Sequence, residues 1–152
     1  MRCRCRPHVH ALLGLIAVIL LAGGCGSKGV TAKRLERAVA PTFANLIHVQ
    51  EAILGGPPVD AAALRSSASC QKVGPAADTE GGGSWRCTIT WFIPGRAAPV
   101  RDTYDLSVTM DGCYTATADG AEAHVGGPTL KTLGGTTVTN LVYAFDGCFD
   151  TR

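Results

Sequence analysis

The chain has 152 residues, 14 of them basic and 12 acidic, for a formal net charge of +2, and it contains seven cysteines. Arg2, Arg4 and Arg6 hold three of the basic charges, so the remainder is close to neutral, which argues against a nucleic-acid-binding surface. The length suits one domain, and no long linker or low-complexity block divides it.

Residues 1 to 10, MRCRCRPHVH, carry no acid, and the 14 residues from Ala11 to Gly24 carry no charge. A bilayer-spanning helix needs about 20 apolar residues, so this run is short for a permanent span. Its layout is that of a secretory signal peptide. Ala22, Gly23 and Gly24 lead into Cys25, and the chain turns polar at once with Gly26-Ser27-Lys28-Gly29.

That phrase resembles the lipobox of bacterial lipoproteins, an apolar residue and two small residues before a cysteine, with Ala22 standing where Leu is usual. The resemblance implies cleavage between Gly24 and Cys25 and a diacylglyceryl group and palmitate on Cys25. Residues 1 to 24 would be removed, 25 to 30 would form a lipidated tether, and 31 to 152 a single domain. Two or more acyl chains, at about 0.8 kcal/mol per buried CH₂, hold firmly where one holds marginally. The expected location is the extracytoplasmic face of the cell membrane. After cleavage 11 basic residues face 12 acids. Lys28, Lys33, Arg34 and Arg37, against Glu36 alone, read either as a solvated helix face or as a contact with anionic headgroups.

From Thr31 a helix is expected. Leu35, Val39, Phe43, Leu46, Ile47, Gln50, Ile53 and Leu54 recur at three- and four-residue steps, which puts one largely apolar stripe toward a core. Thr31 suits the N-cap, and Gly55-Gly56-Pro57-Pro58 ends the element. Pro41 predicts a kink or a fresh start. A second, short helix is expected after Asp60 through AAALRSS, stopping before Cys70.

Beyond Cys70 the period falls to two. WRCTITWFI places Trp85, Cys87, Ile89, Trp91 and Ile93 on one face and Arg86, Thr88, Thr90 and Phe92 on the other. TYDLSVTM gives Tyr104, Leu106, Val108 and Met110 as an inward row. TNLVYAF gives Leu141, Tyr143 and Phe145. Asp111-Gly112, Asp119-Gly120, Gly134-Gly135 and Asp146-Gly147 all suit two-residue hairpin turns. Residues 80 to 84 and 94 to 99 read as loops. The sum is an α+β fold in which an N-terminal amphipathic helix lies on an antiparallel, disulfide-stapled meander sheet with one wet face.

Cys3 and Cys5 leave with the signal and Cys25 takes lipid, so Cys70, Cys87, Cys113 and Cys148 remain. Four cysteines in an exported domain allow three pairings. MDGCY and FDGCF repeat one phrase, and a two-residue Asp-Gly turn would point Cys113 and Cys148 inward at equivalent strand ends. That favours Cys113–Cys148 and, by elimination, Cys70–Cys87. The spacings lack the close cysteine pair of a zinc site, so no metal is expected, and an EF-hand pattern for calcium is missing too.

No nucleophile motif, zincin motif or phosphate loop is present, and neither a catalytic residue nor a cofactor is expected. His48 lies beside the apolar helix face, and His124 ends an expected strand. Acid pairs such as Glu36 with Glu51, or Asp102 with Asp105, could serve glycosidase-type chemistry only if a cleft held them at a defined separation. Phe92, Tyr114 and Phe149 are the aromatics that could anchor a partner.

The phrases APTFANL, WRCTITW, DGCY and AFDGCF make residues 31 to 152 similar to small actinobacterial cell-envelope lipoproteins of undefined function. The resemblance implies a compartment and no active-site residue. The expectation is a non-enzymatic, lipid-anchored binding or accessory module with a protein or envelope partner. An envelope-directed hydrolase with an unidentified carboxylate pair is the alternative, and a third class is an inhibitor-like or structural domain presenting residues 94 to 99.

Overall fold

A computed structural model describes residues 29 to 75 and 79 to 152. Gly24, Cys25 and Lys28 lie outside these residues. Gly29 and Val30, which the sequence places in the tether, are packed with the domain: Val30 is buried, and Gly29 N–H donates to Thr151 O at 2.7 Å.

Helix α1 spans Ala32–Leu54. Thr31 caps it by accepting from Arg34 N–H at 3.3 Å, and Gly55 ends it at φ 80°, a left-handed conformation that glycine adopts without Cβ strain. The helix runs through Pro41 with no fresh start. Pro41 has no N–H to give the carbonyl one turn back, and nearby hydroxyls bond other carbonyls of this stretch: Thr42 Oγ1 donates to Ala38 O and Ser66 Oγ to Ala40 O, both at 2.9 Å. The expected second helix shrinks to one 3₁₀ turn, Ala61–Leu64, capped by Asp60. Strand pairing with the next element claims the chain from Ser67 onward.

Among the described residues seven strands follow: β1 Ser67–Lys72, β2 Gly83–Trp91, β3 Val100–Val108, β4 Cys113–Asp119, β5 Thr129–Lys131, β6 Thr137–Thr139 and β7 Ala144–Cys148. Five form an antiparallel sheet in the order β1-β2-β3-β4-β7, while β5 and β6 make a separate hairpin. The architecture is therefore α+β, with α1 laid across one sheet face. Phe43 is central. Its ring meets Trp91 edge-on at 5.4 Å and Tyr104 at 6.0 Å, and Tyr104 in turn meets Phe145 at 5.4 Å. Such aromatic pairs add about 0.5–1.5 kcal/mol each beyond the area they bury. The opposite sheet face is polar, carrying Thr88, Thr103, Ser107, Thr115 and Thr117 around Arg86, which pairs with Asp105 at 2.9 Å and Asp119 at 3.3 Å.

Both disulfides form, Cys70–Cys87 and Cys113–Cys148, each between directly opposed strand residues. Cys87 is core, but Cys113 and Cys148 stand on the outer row. The turn explains this departure from the expected inward orientation. The β3–β4 connection has three residues, Met110-Asp111-Gly112, closed by Thr109 N–H to Cys113 O at 2.8 Å and Gly112 N–H to Thr109 O at 3.1 Å. One residue more than expected reverses which face follows, and it leaves Met110, assigned inward by its parity, 72% exposed at the tip.

Five further expectations are corrected. Gly134-Gly135 does close the β5–β6 hairpin, again as part of a three-residue turn, whereas Asp119-Gly120 leads into a one-turn helix, α2, Glu122–Val125. Asp146-Gly147 lies inside β7, opposite Thr115 and Tyr114. TNLVYAF is not one strand, because residues 140 to 143 turn and bury Val142 in place of Leu141 and Tyr143. Residues 80 to 84 are only partly loop, since β2 already starts at Gly83. Among the described residues no helix is long and apolar enough to cross a membrane.

Candidate functional site

A cleft of about 280 Å³ opens between the C-terminal half of α1, the end of β2, and α2 with its following segment. Its walls are mainly apolar: Ile47 and Leu54 from the helix, Trp91 and Ile93 from the strand end, Leu130 and Val142 from beyond α2. Three polar side chains join them, Gln50, Glu51 and His124.

His124 owes its position to Asp102. Asp102 occupies an inward place on β3, two residues before Tyr104, and its side chain is 1% exposed. One carboxylate oxygen accepts from Trp91 Nε1–H at 2.6 Å and the other lies 2.7 Å from His124 Nδ1. A buried carboxylate needs such partners, since an unpaired one would carry several kcal/mol of desolvation cost. The contact puts the imidazole proton on Nδ1 and leaves Nε2 as the other functional nitrogen.

The segment bearing this histidine is itself clamped. Asn140 Nδ2 donates to Val125 O at 2.7 Å and Gly127 O at 2.8 Å, and Asn140 Oδ1 accepts from Val142 N–H at 3.1 Å. Tyr104 O–H donates to Val142 O at 2.8 Å. Burial, and secondarily the charge of Asp102, pushes the Tyr104 hydroxyl far above the usual tyrosine range.

Gln50 is 2% exposed, and its Oε1 accepts from Leu141 N–H at 2.6 Å. Its Nε2 is buried with no hydrogen-bond partner. Exchanging the amide's two ends would set a donor against Leu141 N–H, so the unfilled group is a donor. The carboxylate of Glu51, next along the helix, has no hydrogen-bond or ion-pair partner among the described residues.

The residues singled out from sequence are not brought together. Phe92 is half-buried beneath the Arg65 guanidinium, 3.7 Å from its ring centroid. Tyr114 is core, 2% exposed and packed on Phe145, so it presents no face to a partner. Its outward placement fails for the reason that turned Cys113 around. Phe149 is half-buried against the core. Asp102 and Asp105 point to opposite faces of the sheet. Glu36 accepts from Cys70 N–H at 2.9 Å on the edge strand, and at 1.5 Å rise per residue it stands about 22 Å along the helix from Glu51. His48 Nδ1 contacts Val59 O at 2.5 Å, and His124 lies on α2 instead of ending a strand.

Sequence reasoning missed the Trp91–Asp102–His124 chain. One signal could have found it: an aspartate sharing the parity of Tyr104, Leu106 and Val108 must bury its carboxylate and so requires partners. Among the described residues no group of three or more His, Cys, Asp or Glu is placed to hold a metal ion. No family model, curated protein or solved structure matches the chain.

Proposed function

We propose that the protein is an exported, lipid-anchored binding module of the cell envelope, non-enzymatic, which receives a small apolar ligand or the apolar part of a larger one in the cleft beside Gln50. The observation that carries this reading is the unfilled Nε2 donor of Gln50 in the cleft wall. A buried donor without a partner costs about 1–3 kcal/mol, and a ligand acceptor reached by a small rotation of the amide recovers it. Support for the compartment comes from the two disulfides, which persist in oxidising surroundings, and from the lipobox-like phrase at Cys25.

The cleft is tested by titrating 3-phenylpropan-1-ol into the full chain in lipid nanodiscs by calorimetry, with empty nanodiscs subtracted. Saturable one-site binding is expected, weakened at least tenfold by Val59→Trp at the cleft wall. Absence of saturable binding rejects the cleft. The anchor is tested separately: palmitate labelling and membrane fractionation should both be lost in Cys25→Ala, and a variant that stays labelled and bound rejects it.

The Asp102–His124 pair favours one second reading, hydrolysis with Nε2 as base. None of the cleft residues is Ser, Thr or Cys, so that route would act through water. Ester turnover abolished by His124→Ala would select it.

A further inference from the structure

We propose that the ligand of this cleft is an apolar amine, its carbon body lying between Trp91 and Leu130 and its ammonium at Glu51; the inference rests on the cleft being the binding site. The argument is one of charge. Among the described residues no lysine or arginine lines the cleft. Of the carboxylates described near it, Asp102 is already engaged by His124 and Trp91. The Glu51 carboxylate is engaged by nothing among the described residues.

Glu51 is half-buried on the rim, beside Gly56: a Cβ built there would stand 2.7 Å from Glu51 Oε2. The missing side chain at position 56 leaves the carboxylate its place against the backbone. An ammonium brought to that oxygen gains a charge-assisted hydrogen bond. A carboxylate brought to the same place meets a like charge. Gln50 Nε2 then serves any hydroxyl, ether or carbonyl oxygen that the ligand carries further in.

The test is a head-group series on one skeleton: 3-phenylpropylamine, 3-phenylpropan-1-ol and 3-phenylpropanoate, titrated at pH 7.5 into the full chain in nanodiscs of uncharged lipid, with empty discs subtracted. The amine should bind about fivefold tighter than the alcohol, the size of a single half-exposed ion pair, and the propanoate weakest. Glu51→Gln should remove the amine's advantage over the alcohol, and 0.5 M salt should narrow the gap in the wild type. Alcohol and amine binding equally tightly, or an amine preference that survives Glu51→Gln, overturns the amine and leaves the cleft standing. If none of the three binds saturably, both readings fall together.

Discussion

Asp102 and His124 are 22 residues apart in the chain and 2.7 Å apart in space, and the carboxylate that joins them is buried while the imidazole reaches the cleft. The same carboxylate takes the Trp91 indole N–H, so one side chain ties β3 to β2 and to α2. Asp102→Ala should strand the indole donor in the core and free the histidine. A loss of about 3 kcal/mol is expected, measured as a shift of the urea midpoint. Asp102→Asn, which can keep one of the two bonds, should lose less. A neutral Asp102→Ala would show that the pair is not formed.

Removing Pro41 should have the opposite sign. The residue is exposed within an unbroken helix, and a helix-interior proline costs about 3 kcal/mol through its missing N–H and ring clash. Pro41→Ala is expected to stabilise by about 1–3 kcal/mol, read from the same denaturation curves. A destabilised variant would mean that the ring makes a contact outweighing both terms.

Gly147 gives a third test. A Cβ there would sit 2.7 Å from Tyr114 Oη and 2.9 Å from Cζ, and the ring cannot yield freely because it is packed on Phe145. Gly147→Ala should therefore destabilise by about 1–3 kcal/mol, the usual range for overpacking, and Gly147→Ala with Tyr114→Ala should cost less than the sum of the two singles.

Alkaline conditions probe the tyrosines. Burial raises the folded-state pKa of both Tyr104 and Tyr114 above the ordinary value of 10.0. Below that value both states keep the proton and stability is unaffected. Above it the unfolded chain releases protons that the folded chain retains, so stability falls by up to about 1.4 kcal/mol per pH unit for each tyrosine. The folding free energy should be flat from pH 7 to about 9 and decline beyond about 10. Tyr104→Phe should reduce the slope. A slope unchanged by that substitution would remove Tyr104 as the cause.

How much of this was legible beforehand depends on how local the signal is. The helix and both of its ends were, because Thr31, Gly55 and the stripe from Leu35 to Gln50 act within one or two turns, although Ile53, assigned to the same stripe, is 43% exposed. The inward rows of β2 and of β3 as far as Val108 were too, since alternation is intrinsic to a strand. Turn length was not. Asp-Gly fits two- and three-residue connections alike, and the single residue of difference reversed Met110, Cys113 and Tyr114 together. The right disulfide was reached for Cys113–Cys148 with the wrong face. The cleft was least legible, since it is assembled from α1, the end of β2, α2 and the segment after it, and its one sequence sign was an acid at Asp102, which holds His124 from behind.

The pairing of Gly29 with Thr151, together with Gly81 N–H to Val30 O at 2.8 Å, fixes where a mechanical load would enter. Tension arriving along the residues before Gly29 is shared at once with the opposite end of the chain and with the turn ahead of β2. Behind those two points lie the cross-linked pairs Cys113–Cys148 and Cys70–Cys87. A tug on the amino end would peel that short main-chain seam and then act on α1, whose hold on the sheet is non-covalent; the first covalent stop in chain order is Cys70, joined to Cys87.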